Sequence, residues 1–459
     1  MECLDHRSDL LDQAKQISYP KDPRSDNTIR TNFHMVRKSV GYRAPVTATF
    51  AIERITDTAG HILRGGSGAS CWGYNQSNIV RHGDILYALS WRDDLSIVLY
   101  CRIGTAPWQV SPPLPPVPQN GNVLVDEQGR AHVISGDGAN WHAVFENPGQ
   151  LQTFKMRQYA KADSRFGAAI NKRGQIFVAG GLAQMAWYVL EPSEDYRAIA
   201  QDAVPHPEQR GYNFTVFADT AGHAFSSDDY FVRGEQFPNS HIKRPNPDSG
   251  EIEVIETERG IYPVLKTYYY YNPDVFASPT AWQMTVISDV ADTYNPADGG
   301  RGTTEQQDLL IDDEGLVHLI YFENRQVAHT IWASSGQDVQ HSQLYHAVGP
   351  PEGPFEHFCL GSFNSGRLYQ TADGYMHYLL TRGRRGAAQE LWYARGTTGD
   401  WAHISAPVKL EMPAPFWHLY INTQRTGGTQ VPFIDCYWTG AYENNSNEVW
   451  YGRLDVGLQ

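Results

Sequence analysis

The chain is short of the features that mark several large protein classes. Only five of its 459 residues are cysteine, at positions 3, 71, 101, 359 and 436. They are scattered and odd in number, so neither a zinc-binding Cys-x-x-Cys pair nor a disulfide framework is written here, and buried free thiols are the expected state. No run of 18 apolar residues exists, which excludes a membrane-spanning helix. Positive charge is also scarce: 37 Lys and Arg face 51 Asp and Glu, a net charge of −14. A nucleic-acid partner is excluded on that balance, because such binding rests on neutralising phosphates. A polyanionic ligand would need a local basic cluster. The first residues, Met1-Glu2-Cys3-Leu4-Asp5-His6, lack the apolar core of a signal peptide, so the protein is expected to be cytoplasmic as written and secreted if the true start lies upstream.

Turns are plentiful, with 41 Gly and 27 Pro. Seven Gly-centred turns interrupt apolar runs, with glycines at 83, 129, 174, 222, 315, 374 and 428, spaced 46, 45, 48, 93, 59 and 54 apart. Each lies between two short β-rich segments, such as 122–126 and 131–135, the pattern of a hairpin with a φ > 0 position. A period of 45 to 60 residues with several strands per repeat predicts a β-propeller. A third strand follows in each repeat, marked by a Tyr in Ile97 to Arg102, Ala186 to Tyr188, Lys266 to Tyr271, Gln343 to His346, Leu391 to Arg395 and Val449 to Arg453; the second repeat has Trp141 to Phe145 instead. These aromatics are expected to pack blade on blade.

Only six residues follow the seventh third strand, too few for a fourth. The segment Val46 to Ile55 supplies it, so the fold expected is all-β, a seven-bladed propeller closed by an N-terminal strand. Residues 1–45 then form a polar lead-in and 46–459 a single domain. The 93-residue gap becomes one blade with an insertion at about 230–262 between its second and third strands.

In a propeller the start of each inner strand and the loop between second and third strands converge on one mouth of the channel. Collecting those positions gives Asn75, Gln76 and Trp91 from blade 1, Asn122 and His142 from blade 2, and Arg165 from blade 3. Blade 4 adds Arg210 and Tyr212, blade 5 Gln307 and Arg325, and blade 7 Trp417, His418 and Tyr420. Trp and Tyr suit the apolar faces of sugar rings, Asn and Gln their hydroxyls, and the planar fork of Arg a uronate carboxylate. A uronate-containing saccharide is therefore the expected partner, bound through Asn75, Gln76, Trp91, Asn122, Gln307, Arg325, Trp417 and Tyr420.

The pattern of apolar strand, Asp/Asn-x-x-Gly turn, apolar strand and aromatic third strand, as in Asp308 to Tyr321, resembles the BNR-type propellers that include the ulvan lyases and rhamnosyl-glucuronate lyases. The Ser-x-Asp-x-Gly-x-Thr-Trp box of the related sialidases is absent. The resemblance implies a uronate substrate and catalysis by His and Tyr with an Arg beside the carboxylate. For that chemistry Arg165 and Arg210 are candidates to neutralise the carboxylate, His142 to remove the C5 proton with His418 as its rival, and Tyr212 to protonate the leaving oxygen. His132, His223, His318 and His377, at the opposite ends of their strands, read as structural. No cofactor is required, although a structural Ca²⁺ could occupy the channel without a sequence motif. Two other readings stay open: a glycoside hydrolase, for which Asp137, Asp228, Asp229, Glu323 and Asp435 are available acids, and a non-catalytic propeller that binds glycan or protein.

Overall fold

The computed structural model describes residues 37–58, 77–116, 121–135, 141–159, 166–181, 184–206, 210–229, 241–245, 252–256, 264–294, 301–328, 341–383, 389–413, 416–440 and 447–456, with backbone alone at 205, 210–213, 218, 228–229, 241–245, 252–256, 301, 327–328 and 417–418. Among the described residues, seven mainly antiparallel sheets follow one another along the chain as blades, with one further two-stranded hairpin. Their inner strands are Ile79–His82, Gly121–Val125, Gly167–Ile170, Arg210–Ala218, Arg301–Ile311, Ser365–Thr371 and Phe416–Ile421. Each inner strand abuts the next, and the seventh abuts the first, which closes the ring. The expected seven-bladed propeller is the fold.

Alternation along the strands explains why it closes. A strand buried on both faces presents apolar side chains to the blade before it and to the blade after it. The described core accordingly divides into seven apolar clusters, and each spans one junction between neighbouring blades. Blades 1 and 2 share Leu89, Trp91, Val123 and Trp141, for example, and blades 7 and 1 share Tyr437, Tyr451, Ile79 and Leu86. The remaining five junctions are filled in the same way. Five of the turn glycines, at 83, 129, 174, 315 and 374, hold positive φ, as the hairpin reading requires. In blade 7 the left-handed position is Gly427 rather than Gly428, because a short 3-10 turn, Gln424–Thr426, intervenes.

Blade 4 carries the long insertion between its second strand, Gly222–Asp229, and its third, Val264–Asn272. Within it a separate hairpin pairs His241–Pro245 with Ile252–Glu256.

The N-terminal segment does more than complete one blade. Ala48–Thr56 pairs antiparallel with Val449–Val456 as the outer strand of blade 7. Before that, Arg37–Ser39 runs parallel to the outer strand of blade 5 and Gly41–Arg43 parallel to that of blade 6. A boundary at residue 45 is therefore too late, since residues 37–43 already belong to the propeller. Their polar sequence Arg37-Lys38-Ser39 concealed this; it suits an exposed edge, where Arg37 meets Glu323 and Lys38 meets Glu356. The seam between blades 7 and 1 is also stapled from inside. Arg81 grips Asp435 through Nε at 2.5 Å and Nη2 at 2.8 Å, the Tyr451 hydroxyl donates to the same carboxylate at 2.6 Å, and Tyr437 donates to the Leu89 carbonyl at 2.8 Å.

Gly452 lies where a Cβ would sit 2.4 Å from the Phe50 ring and 2.8 Å from Trp438. Gly452→Ala is expected to destabilise the protein by ~1–3 kcal/mol, the usual cost of overpacking. Adding Phe50→Ala should recover part of that loss, so the two changes are non-additive in thermal melts. Additive losses would mean that the N-terminal strand does not close the ring.

Candidate functional site

A belt of inner-strand residues circles the channel of blades 4 to 7. Three of these inner strands carry an irregularity of register at the same level: between Tyr212 and Thr215 in blade 4, Gln306 and Asp308 in blade 5, and Trp417 and Leu419 in blade 7. An extra residue bends a strand and re-aims its side chain, and such bulges gather next to active sites. The extra residues include Gln307 and His418, both candidates from the sequence.

Hydrogen bonds join these levels. Ser227, the cross-strand partner of Tyr212, donates its hydroxyl to Gln306 and accepts the Gln306 amide at 3.0 Å. Arg367, in the inner strand of blade 6, donates through Nη1 to the Gln307 carbonyl and through Nε to the Leu419 carbonyl, both at 2.8 Å. Its guanidinium also lies over an aromatic face, 5.3 Å from the Tyr420 ring centre. Gln307, Leu419 and Tyr420 are thus tied together by Arg367, beside the Ser227–Gln306 pair; Tyr212 and His418 stand next to this network in the backbone.

Arg367 was not among the sequence candidates. The signal was a lone Arg in the strand Ser365-Gly366-Arg367-Leu368-Tyr369, two residues after the strand begins, the position Tyr212 holds in the strand of blade 4.

The other candidates fare unevenly. Arg165, Asn75 and Gln76 lie outside the described residues, and for Arg210, Tyr212, Trp417 and His418 the backbone alone is placed. Asn122 is fully buried on the inner strand of blade 2 with neither amide atom hydrogen-bonded. Gln307 and Tyr420 are buried in the belt. Trp91 is no platform for a sugar: it is wholly buried in the cluster between blades 1 and 2, against the inner strand at Gly121. Arg325 is exposed but occupied, with its Nη2 on both oxygens of Asp292 at 2.6 and 2.5 Å and its Nη1 on the Asp289 carbonyl.

His142 requires a correction of role. Four blades repeat one staple, in which a His early in the second strand bonds a third-strand residue at a fixed offset. The pairs are His132 with His142 at 3.0 Å, His223 with Tyr269 at 2.7 Å, His318 with His346 at 2.9 Å and His377 with Tyr393 at 2.8 Å. His142 is the second blade's counterpart of the blade tyrosines. It is 1% exposed and packed edge-on against Tyr196 of the next blade. Burial and the neighbouring His132 push its pKa well below the ordinary histidine value. A general base has to reach its substrate, and this ring is sealed between blades. The reading of His132, His223, His318 and His377 as structural agrees with these contacts.

An ulvan lyase of polysaccharide lyase family PL25 bound to -[GlcA(1-4)Rha3S]- superposes with a TM-score of 0.52 at 12% identity, covering 90% of this chain and 95% of that one. A second structure of PL25 ulvan lyase gives 0.54 at 12% identity, and the polysaccharide lyase Uly1 gives 0.51 at 8%, covering 90% of this chain and all of its own. The fold is that of the polysaccharide lyase propellers. No family model matches the sequence, and no curated protein does.

As in any propeller, the two ends of the channel differ, and here one is obstructed. The Gln424–Thr426 turn reaches across to blades 2, 3 and 4. A Cβ on Gly427 would lie 1.7 Å from the Val125 carbonyl oxygen and 2.9 Å from Ile170, so only glycine permits this approach. Outside the turn, a cavity of about 690 Å³ is rimmed by hairpin residues such as Glu127, Lys172, Asp219 and Asp313. Its rim mixes both signs of charge, and the crossing turn separates it from the belt. Among the described residues no group of three or more His, Cys, Asp or Glu is placed to hold a metal, and no helix is long and apolar enough to cross a membrane.

The buried histidines generate a pH prediction. Burial lowers His206, His223 and His357 to about 4 and His377 to about 3. Unfolding lets these rings regain a value of about 6.5 and take up protons. Their stabilising effect is complete above pH 6.5 and is lost as the pH falls from there towards 4. Denaturant midpoints measured between pH 7.5 and 4.5 should drop steadily; a flat profile over that range would contradict the burial of neutral imidazoles.

Proposed function

We propose that this protein is a polysaccharide lyase that cleaves beside a uronate by β-elimination. The observation that carries the reading is the belt, where three inner strands bulge at one level of a propeller with the fold of the polysaccharide lyases. The solved relative with a GlcA-Rha3S chain bound supports a uronate-containing saccharide as substrate class.

In this reading Arg210 neutralises the uronate carboxylate, which lowers the barrier to forming the aci-carboxylate when the C5 proton leaves. His418 takes over the role of base from His142, because it stands at the bulge of the inner strand of blade 7. Tyr212, two residues beyond Arg210 on the same strand face, returns a proton to the leaving oxygen. Arg165 would share the carboxylate with Arg210. The insertion after Asp229 would wall one side of the site and favour short chains or chain ends.

The hydrolase alternative loses two of its acids. Asp435 is held by Arg81 and Tyr451, and Glu323 is buried with Arg37 on it at 2.5 Å and Ser288 at 2.7 Å. Burial raises the Glu323 pKa, but its contacts are within and between blades rather than on the channel.

Incubation with a panel of uronate glycans should produce the ultraviolet absorbance of a 4,5-unsaturated uronate. New reducing ends without that absorbance would hand the protein to the hydrolases. Arg210→Lys keeps the charge but loses the fork, so kcat should fall by the ~2.7–4 kcal/mol typical of one lost transition-state donor. His418→Ala should abolish elimination with KM little changed, whereas His142→Ala should lower the melting temperature more than the turnover of the folded fraction.

A further inference from the structure

Blade 6 stands between two blades whose inner strands bulge, and its own inner strand does not. Ser365–Thr371 pairs with Tyr375–Arg382 in unbroken register, whereas Gln307 is the extra residue of blade 5 and His418 that of blade 7. Arg367 lies on this regular strand, buried, and reaches both neighbours. Its Nη1 donates to the Gln307 carbonyl and its Nε to the Leu419 carbonyl, each at 2.8 Å. The first acceptor belongs to a bulged residue and the second to the residue after the other bulge. On the blade 5 side the clasp is reciprocal: Asp308 Oδ2 accepts the Leu368 amide at 2.9 Å, so each of the two strands holds the other with a side chain. On the blade 7 side the guanidinium rests over the Tyr420 ring, 5.3 Å from its centre.

A bulge leaves its extra residue out of the ladder, so the backbone there is the part of an inner strand least fixed by its own sheet. The apolar clusters between blades are non-directional and cannot supply the missing constraint. A guanidinium can, because it is planar with its donors at fixed angles, and two carbonyls bound to one guanidinium have their separation set by covalent geometry. We infer that Arg367 is a positioning residue of the proposed site, its guanidinium fixing the spacing between the bulges of blades 5 and 7 and so between Gln307 and His418. The inference rests on the reading of the bulged belt as the place of elimination. In this role Arg367 acts through the backbone that carries the base, where a misplacement on the order of 1 Å costs about 100-fold in rate. Lysine at this position would keep the charge but offer one ammonium without the fork, so it could not span both carbonyls at the same spacing.

Arg367→Lys, assayed on a uronate glycan per folded enzyme, should show kcat about 100-fold lower with KM little changed. A crystal structure of the variant should show the Gln307 and His418 backbones displaced relative to each other by more than about 0.5 Å. A purely structural arginine would lower the melting temperature and leave the turnover of the folded fraction intact. That result, or bulges that superpose on those of the unaltered protein, would overturn the inference. Where Arg367→Lys fails to fold, hydrogen exchange of the unaltered protein decides: the bulge amides at 305–308 and 417–420 should be as protected as those of the strand 365–371, since the clamp joins them into one unit. Exchange at either bulge far ahead of that strand rules the clamp out. An unaltered protein that releases no unsaturated product would defeat the lyase reading alone, because the bulge positions and the exchange pattern still decide the role of Arg367.

Discussion

Everything in this molecule depends on the pairing of its last sheet edge. A propeller blade is a sheet whose outer strand is solvated and whose faces must both be covered, so a ring with one unfinished blade has an open edge and an uncovered junction. Here the two problems are solved at one place. The strand Ala48–Thr56 completes blade 7, while Arg81, Asp435, Tyr451 and Tyr437 bind that blade to blade 1 from inside. The ion pair sits where both partners are desolvated, and it is tolerable because the carboxylate accepts from Arg81 twice and from the tyrosine once more.

The interior divides its labour by radius. Between the blades, apolar clusters supply the burial that holds neighbours together, with His–Tyr and His–His staples stitching second strands to third. Towards the axis the side chains become polar, and the belt of Ser227, Gln306, Gln307 and Arg367 takes over. A polar core of this kind adds little net stability, since each group must be fully satisfied to break even. It does position the backbone of the bulged strands.

How much of this could be read from the sequence follows from how local each signal is. Turn glycines, two-residue alternation and blade aromatics are short-range features, and they yielded the blade count, the insertion and the closing strand, the last by noticing that blade 7 lacked one. His142 misled because its catalytic reading came from the loop before it, whereas its position relative to His132, the same as that of Tyr269 relative to His223, marks it as a blade residue. Trp91 misled for a related reason: it ends a strand at the channel mouth, but its alternation turns the ring into the junction. Arg367 was missed because its importance comes from what it meets, the carbonyls of Gln307 and Leu419, which lie 50 or more positions away in the chain. The strap at 37–43 was missed because a polar parallel edge strand has no alternation to betray it.

The closing pair also joins segments some 400 positions apart, Ala48 with Val456. During synthesis at ~5–20 residues per second, the first of these strands leaves the ribosome roughly 20–80 seconds before its partner exists. Its apolar residues Phe50 and Ile52 must remain unpaired for that interval, although six blades can be complete in the meantime. A nascent chain of this protein therefore carries a sticky edge at its leading end until the final strand emerges, and the polar Thr49, Glu53 and Arg54 that interrupt the segment serve as protection against neighbouring chains on the same message.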